Sequence, residues 1–172
     1  MTKLQERIQK SSHLLNVIFI CALLDPFLHM LQKLLMAVGL LCGHIPFVER
    51  LIQQTPNATA FHGAMFNFAS ILCYALIFAA YYLIHCIFRD ISQEYTPFRT
   101  IHTKRLRWVG VLFTACFIFE SVLNHWAVWV NTGVLNWSFR LEGKYIFPLL
   151  IFSFSFILDY ACQLQAEADT TL

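Results

Sequence analysis

The chain has 172 residues, of which 58% are hydrophobic and only 13% charged, with a formal net charge of +2. Soluble domains carry about a quarter charged residues, so lipid rather than water is indicated as the main solvent. The small net charge argues against direct nucleic-acid binding, and 17 Phe against 6 Gly and 5 Pro excludes collagen-like, linker-like and disordered chains.

The opening segment, MTKLQERIQKSSHLLN, places basic residues ahead of an apolar run, as a signal peptide would. The run continues well past signal-peptide length without a small-x-small cleavage site, so it is expected to stay as a membrane anchor. It forms the first of four apolar stretches, at about 13–41, 61–88, 108–130 and 145–162. Roughly 20 helical residues cross a hydrocarbon core of about 30 Å, so each stretch can span once.

Within the first stretch, Asp25-Pro26 could start a new helix, with Asp25 as N-cap and Pro26 at the first helical position. The two halves are each too short to span, which favours one kinked helix. Asp25, His29 and Lys33 recur every fourth residue and therefore share one helical face. That pattern is either a proton- or ion-responsive face or a local pair with Lys33 reaching toward the interface. The connection after this stretch, GHIPFVERLIQQTPNAT, suggests a short amphipathic turn near 48–52.

Segment 89–107 follows the second stretch and holds Arg89, Arg99, Lys104, Arg105 and Arg107 around a Thr96-Pro97-Phe98 turn. Together with Lys3, Arg7 and Lys10 of the N-terminal tail, these cations outnumber Arg50, Arg140 and Lys144 of the alternate connections. The positive-inside rule then places both termini and the central loop in the cytoplasm. Trp126, Trp129 and Trp137 fall near the opposite face, where interfacial aromatics belong. The loop is too short and too poor in interleaved aromatics for base stacking. It fits an anionic lipid surface, or a docking site in which Phe98 is held outward and the arginines steer an acidic partner.

The third stretch carries Glu120 at mid-span, with Asn124 one turn on. A lone carboxylate at that depth costs several kcal/mol (roughly 3). It therefore needs a partner such as His29, Lys33 or Tyr74, or a proton. A shared cluster of Asp25, His29 and Glu120 between the helices is the main candidate site. For Asp159, near the inner end of the fourth stretch, an ion pair with Arg89 or Arg107, or simple hydration, suffices. The tail 163–172 brings Glu167 and Asp169, which could lie against the basic loop.

Six Cys residues contain no C-x-x-C pair, and five lie inside apolar runs. They read as small packing residues rather than a zinc or redox motif. His13 with His85, and His62 with His125, would lie at similar depths, as a di-haem cytochrome requires. Such coincidences are common where His is frequent, and no cofactor or metal is expected. No nucleophile–base pair, phosphate loop or metalloprotease helix is present, so the chain reads as non-enzymatic.

FRDISQEYTPFRTIHTKRLRWVG and the ending LDYACQLQAEADTTL resemble a bacterial four-span membrane family, domain of unknown function 2975. The matching elements are Phe88-Arg89, Gln93-Glu94, Thr96-Pro97-Phe98 and Lys104-Arg105-Leu106-Arg107, then Gln163, Gln165, Glu167, Asp169 and Leu172. The resemblance covers the chain from about residue 61 onward. The family has no established activity. Its genes commonly lie beside those of small helix-turn-helix regulators, so the resemblance implies a cytoplasmic DNA-binding partner.

The expectation is one all-α domain over 1–172 in a bacterial inner membrane. Four transmembrane helices form two hairpins joined by a basic cytoplasmic loop, N-in and C-in, with room for a homo-oligomer. Relay of a membrane condition to a cytoplasmic partner is the leading function. Haem redox chemistry or proton- or ion-coupled transport is the alternative, and a purely structural membrane subunit the third.

Overall fold

A computed structural model describes residues 3–42, 59–94, 99–133 and 145–171. All four elements are helices: α1 (Lys3–Cys42), α2 (Ala60–Glu94), α3 (Thr100–Thr132) and α4 (Ile146–Thr171). Each is long and apolar enough to cross a membrane. The amphipathic turn expected near 48–52 lies outside the described residues.

The helices overrun the apolar stretches that announce them. α1 is one continuous 40-residue helix, about 60 Å long. Asp25 and Pro26 sit inside it, so Asp25 does not cap a second helix there. The central connection also shrinks. Helix α2 continues to Glu94 and α3 starts at Thr100, so Arg89, Lys104, Arg105 and Arg107 are helical rather than loop residues. Apolarity marks only the segment suited to hydrocarbon, whereas a helix satisfies its own backbone in lipid and water alike.

Local signals account for the ends. Thr59 caps α2: its Oγ1 accepts from the His62 N–H at 3.3 Å and bonds the His62 ring at 2.6 Å. Gly133 ends α3 at φ 67°, a left-handed conformation that favours glycine, and donates its N–H to the Trp129 carbonyl at 2.8 Å.

Each helix packs antiparallel on the next. Phe19 meets Tyr81 and Phe88, His29 meets Tyr74, and Leu40 lies against Gly63 along α1–α2. Along α2–α3, Phe66 stacks on Trp126, Cys73 meets Cys116, and Tyr81 meets Phe113. Along α3–α4, Phe117 meets Tyr145, Phe113 meets Phe147, and Gly110 meets Phe152. Among the described residues no comparable packing closes α1 onto α4, so these helices form an open row.

Residue size is sorted in reverse of a water-soluble core. Ala37, Ala64, Ala80, Cys73, Cys116 and Ser155 are buried, while Leu28, Leu35, Phe154 and Ile157 are exposed. Small residues let helix backbones approach closely, and outward Leu and Phe suit hydrocarbon. The tightest approach is at Gly110, where an added Cβ would lie 3.0–3.2 Å from three atoms of the Phe152 ring.

Gly110→Ala is expected to destabilise by about 1–3 kcal/mol, because the stiff ring must be pushed aside. Its melting temperature in detergent should then fall, by about 2–4 °C for each kcal/mol. Gly63→Ala meets only the mobile end of Leu40, at 3.1 Å, and should melt near wild type.

Candidate functional site

Two polar groupings lie along the row. The first is level with the middle of α1, α2 and α3. On α1, His29 Nε2 is 3.6 Å from Asp25 Oδ1, one turn apart. The His29 ring stacks on Tyr74 of α2, with centroids 5.0 Å apart and planes inclined by 19°. Tyr74 lies within electrostatic range of both Asp25 and Glu120 of α3. Tyr74, one of the partners expected for Glu120, thus touches His29 and feels the charge of both carboxylates. The Asp25 carboxylate is largely exposed and Glu120 only partly so.

Lys33 is partly exposed one turn beyond His29 and forms no ion pair among the described residues. It therefore extends the face without closing it. Of the candidate residues Asp25, His29, Lys33 and Glu120, Asp25 and His29 pair on α1, and Asp25 and Glu120 share the electrostatic surroundings of Tyr74.

The second grouping lies at the basic end. Arg105 of α3 hydrogen-bonds Asp90 of α2, and both side chains are mostly buried. Arg89 also approaches Asp90, at 3.4 Å. Two residues on, Arg107 donates to Asp159 of α4 at 2.7 Å and lies over the Phe156 ring, 5.4 Å from its centroid. Asp159 takes Arg107, one of its two expected partners. Helix α3 is thereby pinned to α2 on one face and α4 on another.

Burial pushes the Asp90 carboxyl upward. Its hydrogen bond and charge contact with Arg105, then those with Arg89, more than offset this and hold it below the usual carboxylate range.

These pairs change the expected docking surface. Arg105 and Arg107 are occupied within the chain, whereas Lys104 is exposed. Thr96, Pro97 and Phe98 lie outside the described residues, as does the side chain of Asp169. Glu167 is on an exposed turn of α4, so the acidic tail continues the helix instead of folding back on the basic segment. Helix α4 keeps its register with α3 through Arg107–Asp159 and runs on beyond it.

Of the histidines considered for haem, His62 Nδ1 engages Thr59 and His125 Nδ1 contacts the Ser121 carbonyl, each at 2.6 Å. Among the described residues no group of three or more His, Cys, Asp or Glu could hold a metal ion.

Sequence reasoning missed two partners. Asp90 had no signal of its own, because its value depends on Arg105 fifteen residues away across a helix turn-around. Cys73 and Cys116, 43 residues apart, are brought together on facing helices.

The class defined by this fold is an all-helical protein with four candidate membrane-spanning helices, which suggests a multi-pass membrane protein. No family model, curated protein or solved structure matches the chain.

Because the folded-state value of Asp90 is depressed, its stabilisation is present above the ordinary carboxylate range near about 3.9 and lost as pH falls through the depressed value. The wild-type melting temperature is expected to be flat from neutral to mildly acidic pH and to fall only in stronger acid. Asp90→Asn should melt several degrees lower at neutral pH and lose less on acidification, as scanning fluorimetry across a pH series would reveal.

Proposed function

We propose that this chain is a non-enzymatic four-span protein of a bacterial cytoplasmic membrane that relays a membrane or envelope condition to a cytoplasmic partner. The excess of Lys and Arg on the N-terminal tail and around the α2–α3 connection supports a cytoplasmic position for both. The outward Leu, Ile and Phe side chains support insertion.

One observation carries the relay. Helix α3 holds Glu120 at mid-depth and Arg105 and Arg107 at its basic end, about 20–22 Å away along one continuous helix. A proton gained or lost along the Asp25–His29–Tyr74–Glu120 line biases how α1, α2 and α3 pack. A small shift of α3 then strains or releases Arg105–Asp90 and Arg107–Asp159 together, because both pairs hang from the same helix. Lys104, exposed immediately before those arginines, and the acidic turn at Glu167 form the face that changes. The resemblance to domain of unknown function 2975 supports a small helix-turn-helix regulator as the partner.

A second reading, proton- or ion-coupled transport, is favoured by the same mid-depth line, since ionisable side chains within spans commonly mark ion routes. Haem chemistry gains no such support.

The test is purification from native membranes in mild detergent, comparing wild type with Lys104→Glu and Glu120→Gln after confirming normal insertion. A small helix-turn-helix protein should be retained by wild type, lost with Lys104→Glu, and retained to a different extent with Glu120→Gln. If no soluble protein is retained by any of the three, the relay is wrong. A pH-driven flux in vesicles that Glu120→Gln abolishes would then establish transport.

A further inference from the structure

The buried thiols of α2 and α3 form a pair that neither polar grouping uses. Cys116 donates its S–H to the Cys73 carbonyl at 3.5 Å, which sets its sulfur against the backbone of the facing cysteine. Both belong to one buried cluster, with Phe119 and Leu76 packed around it. Cys73 is 8% exposed and Cys116 2%. Glu120, one turn beyond Cys116, lies within electrostatic range of Cys73. Cys86 and Cys162 are as deeply buried, while Cys21 and Cys42 are exposed.

We infer that Cys73 and Cys116 constitute an intramembrane dithiol that hydroperoxides oxidise to an interhelical disulfide. With the Cys116 sulfur already at the Cys73 backbone, turning the side-chain torsions is the motion that closes an S–S bond of about 2.05 Å. The slightly more exposed Cys73 reacts first. Its sulfur attacks the outer peroxide oxygen, the O–O bond breaks, and the thiol proton leaves with the other oxygen as water or an alcohol. Cys116 sulfur then attacks the sulfenic sulfur of Cys73, the S–O bond breaks, and the Cys116 proton leaves with that oxygen as water. Two thiols are oxidised and one peroxide is reduced. Glu120 can hold the departing proton until water forms. Hydrogen peroxide is small and uncharged, so it can enter an apolar site from which larger polar oxidants are excluded.

The consequence is mechanical as well as chemical. A disulfide here joins α2 to α3 within one turn of Phe113 and one turn from Glu120, locking the helix on which the proposed relay depends. The site itself does not rest on that relay, and its test is independent of any partner.

Full-length protein in native membranes would be treated with hydrogen peroxide, denatured, alkylated and mapped by peptide mass spectrometry without reduction. Peptides of Cys73 and Cys116 should disappear together and reappear as one linked species restored by dithiothreitol. This loss should exceed that of Cys86 and Cys162 by about tenfold or more, since a neighbouring thiol acts at high effective concentration. Cys73→Ala and Cys116→Ala should each abolish the link while leaving the remaining partner unlinked to any other cysteine. The proposal is overturned if both thiols stay alkylatable while exposed Cys21 and Cys42 are oxidised. It is equally overturned if the linked species joins Cys73 or Cys116 to a different cysteine.

Discussion

Helices that turn Leu, Ile and Phe outward gain little from expelling water between them, so their cohesion must come from close approach and from polar groups that find partners. Both requirements converge on α3. Gly110 admits the Phe152 ring of α4, and the Cys116–Cys73 contact and the Val109–Ala80 packing bring α2 close on the other side. Close approach of this kind rewards small side chains and penalises any that cannot yield. The whole row depends on it, because α1 reaches the rest of the molecule mainly through α2, and α4 mainly through α3.

Charge is handled under the same constraint. An unpaired guanidinium or carboxylate near hydrocarbon is costly, and removing one partner leaves the other exposed to that cost. The chain answers with pairs that join different helices, Arg105 with Asp90 and Arg107 with Asp159, so that neutralising charge also aligns three helices at one level. The aromatic ring of Phe156 adds a second contact for Arg107. At mid-depth the arrangement is looser: His29 stacks on Tyr74, with carboxylates at either side.

The site was only partly legible in the chain. The recurrence of Asp25, His29 and Lys33 marked one face of α1 because helical periodicity is local. Glu120 stood out because a carboxylate within an apolar run is energetically conspicuous. Arg105 and Arg107 were equally visible, but as cations of a loop. Their engagement by Asp90 and Asp159 could not be read, since pairing depends on register between helices. The thiol pair was hidden for the same reason: spacing along the chain carries no information about two cysteines on facing helices.

Apolar length, cationic bias and composition by themselves determined that the chain makes four long helices suited to lipid, since hydrogen bonding in hydrocarbon leaves a continuous segment no better choice than a helix. They did not determine where those helices stop, because a helix persists into water once its backbone is satisfied. Tertiary structure alone decided that the described helices form an open row, that the His29 ring stacks on Tyr74, and that α3 is clasped from both sides. Those outcomes depend on which small residues face one another and on the vertical register between helices. Register is a property of two surfaces in contact, and no single stretch of sequence contains it.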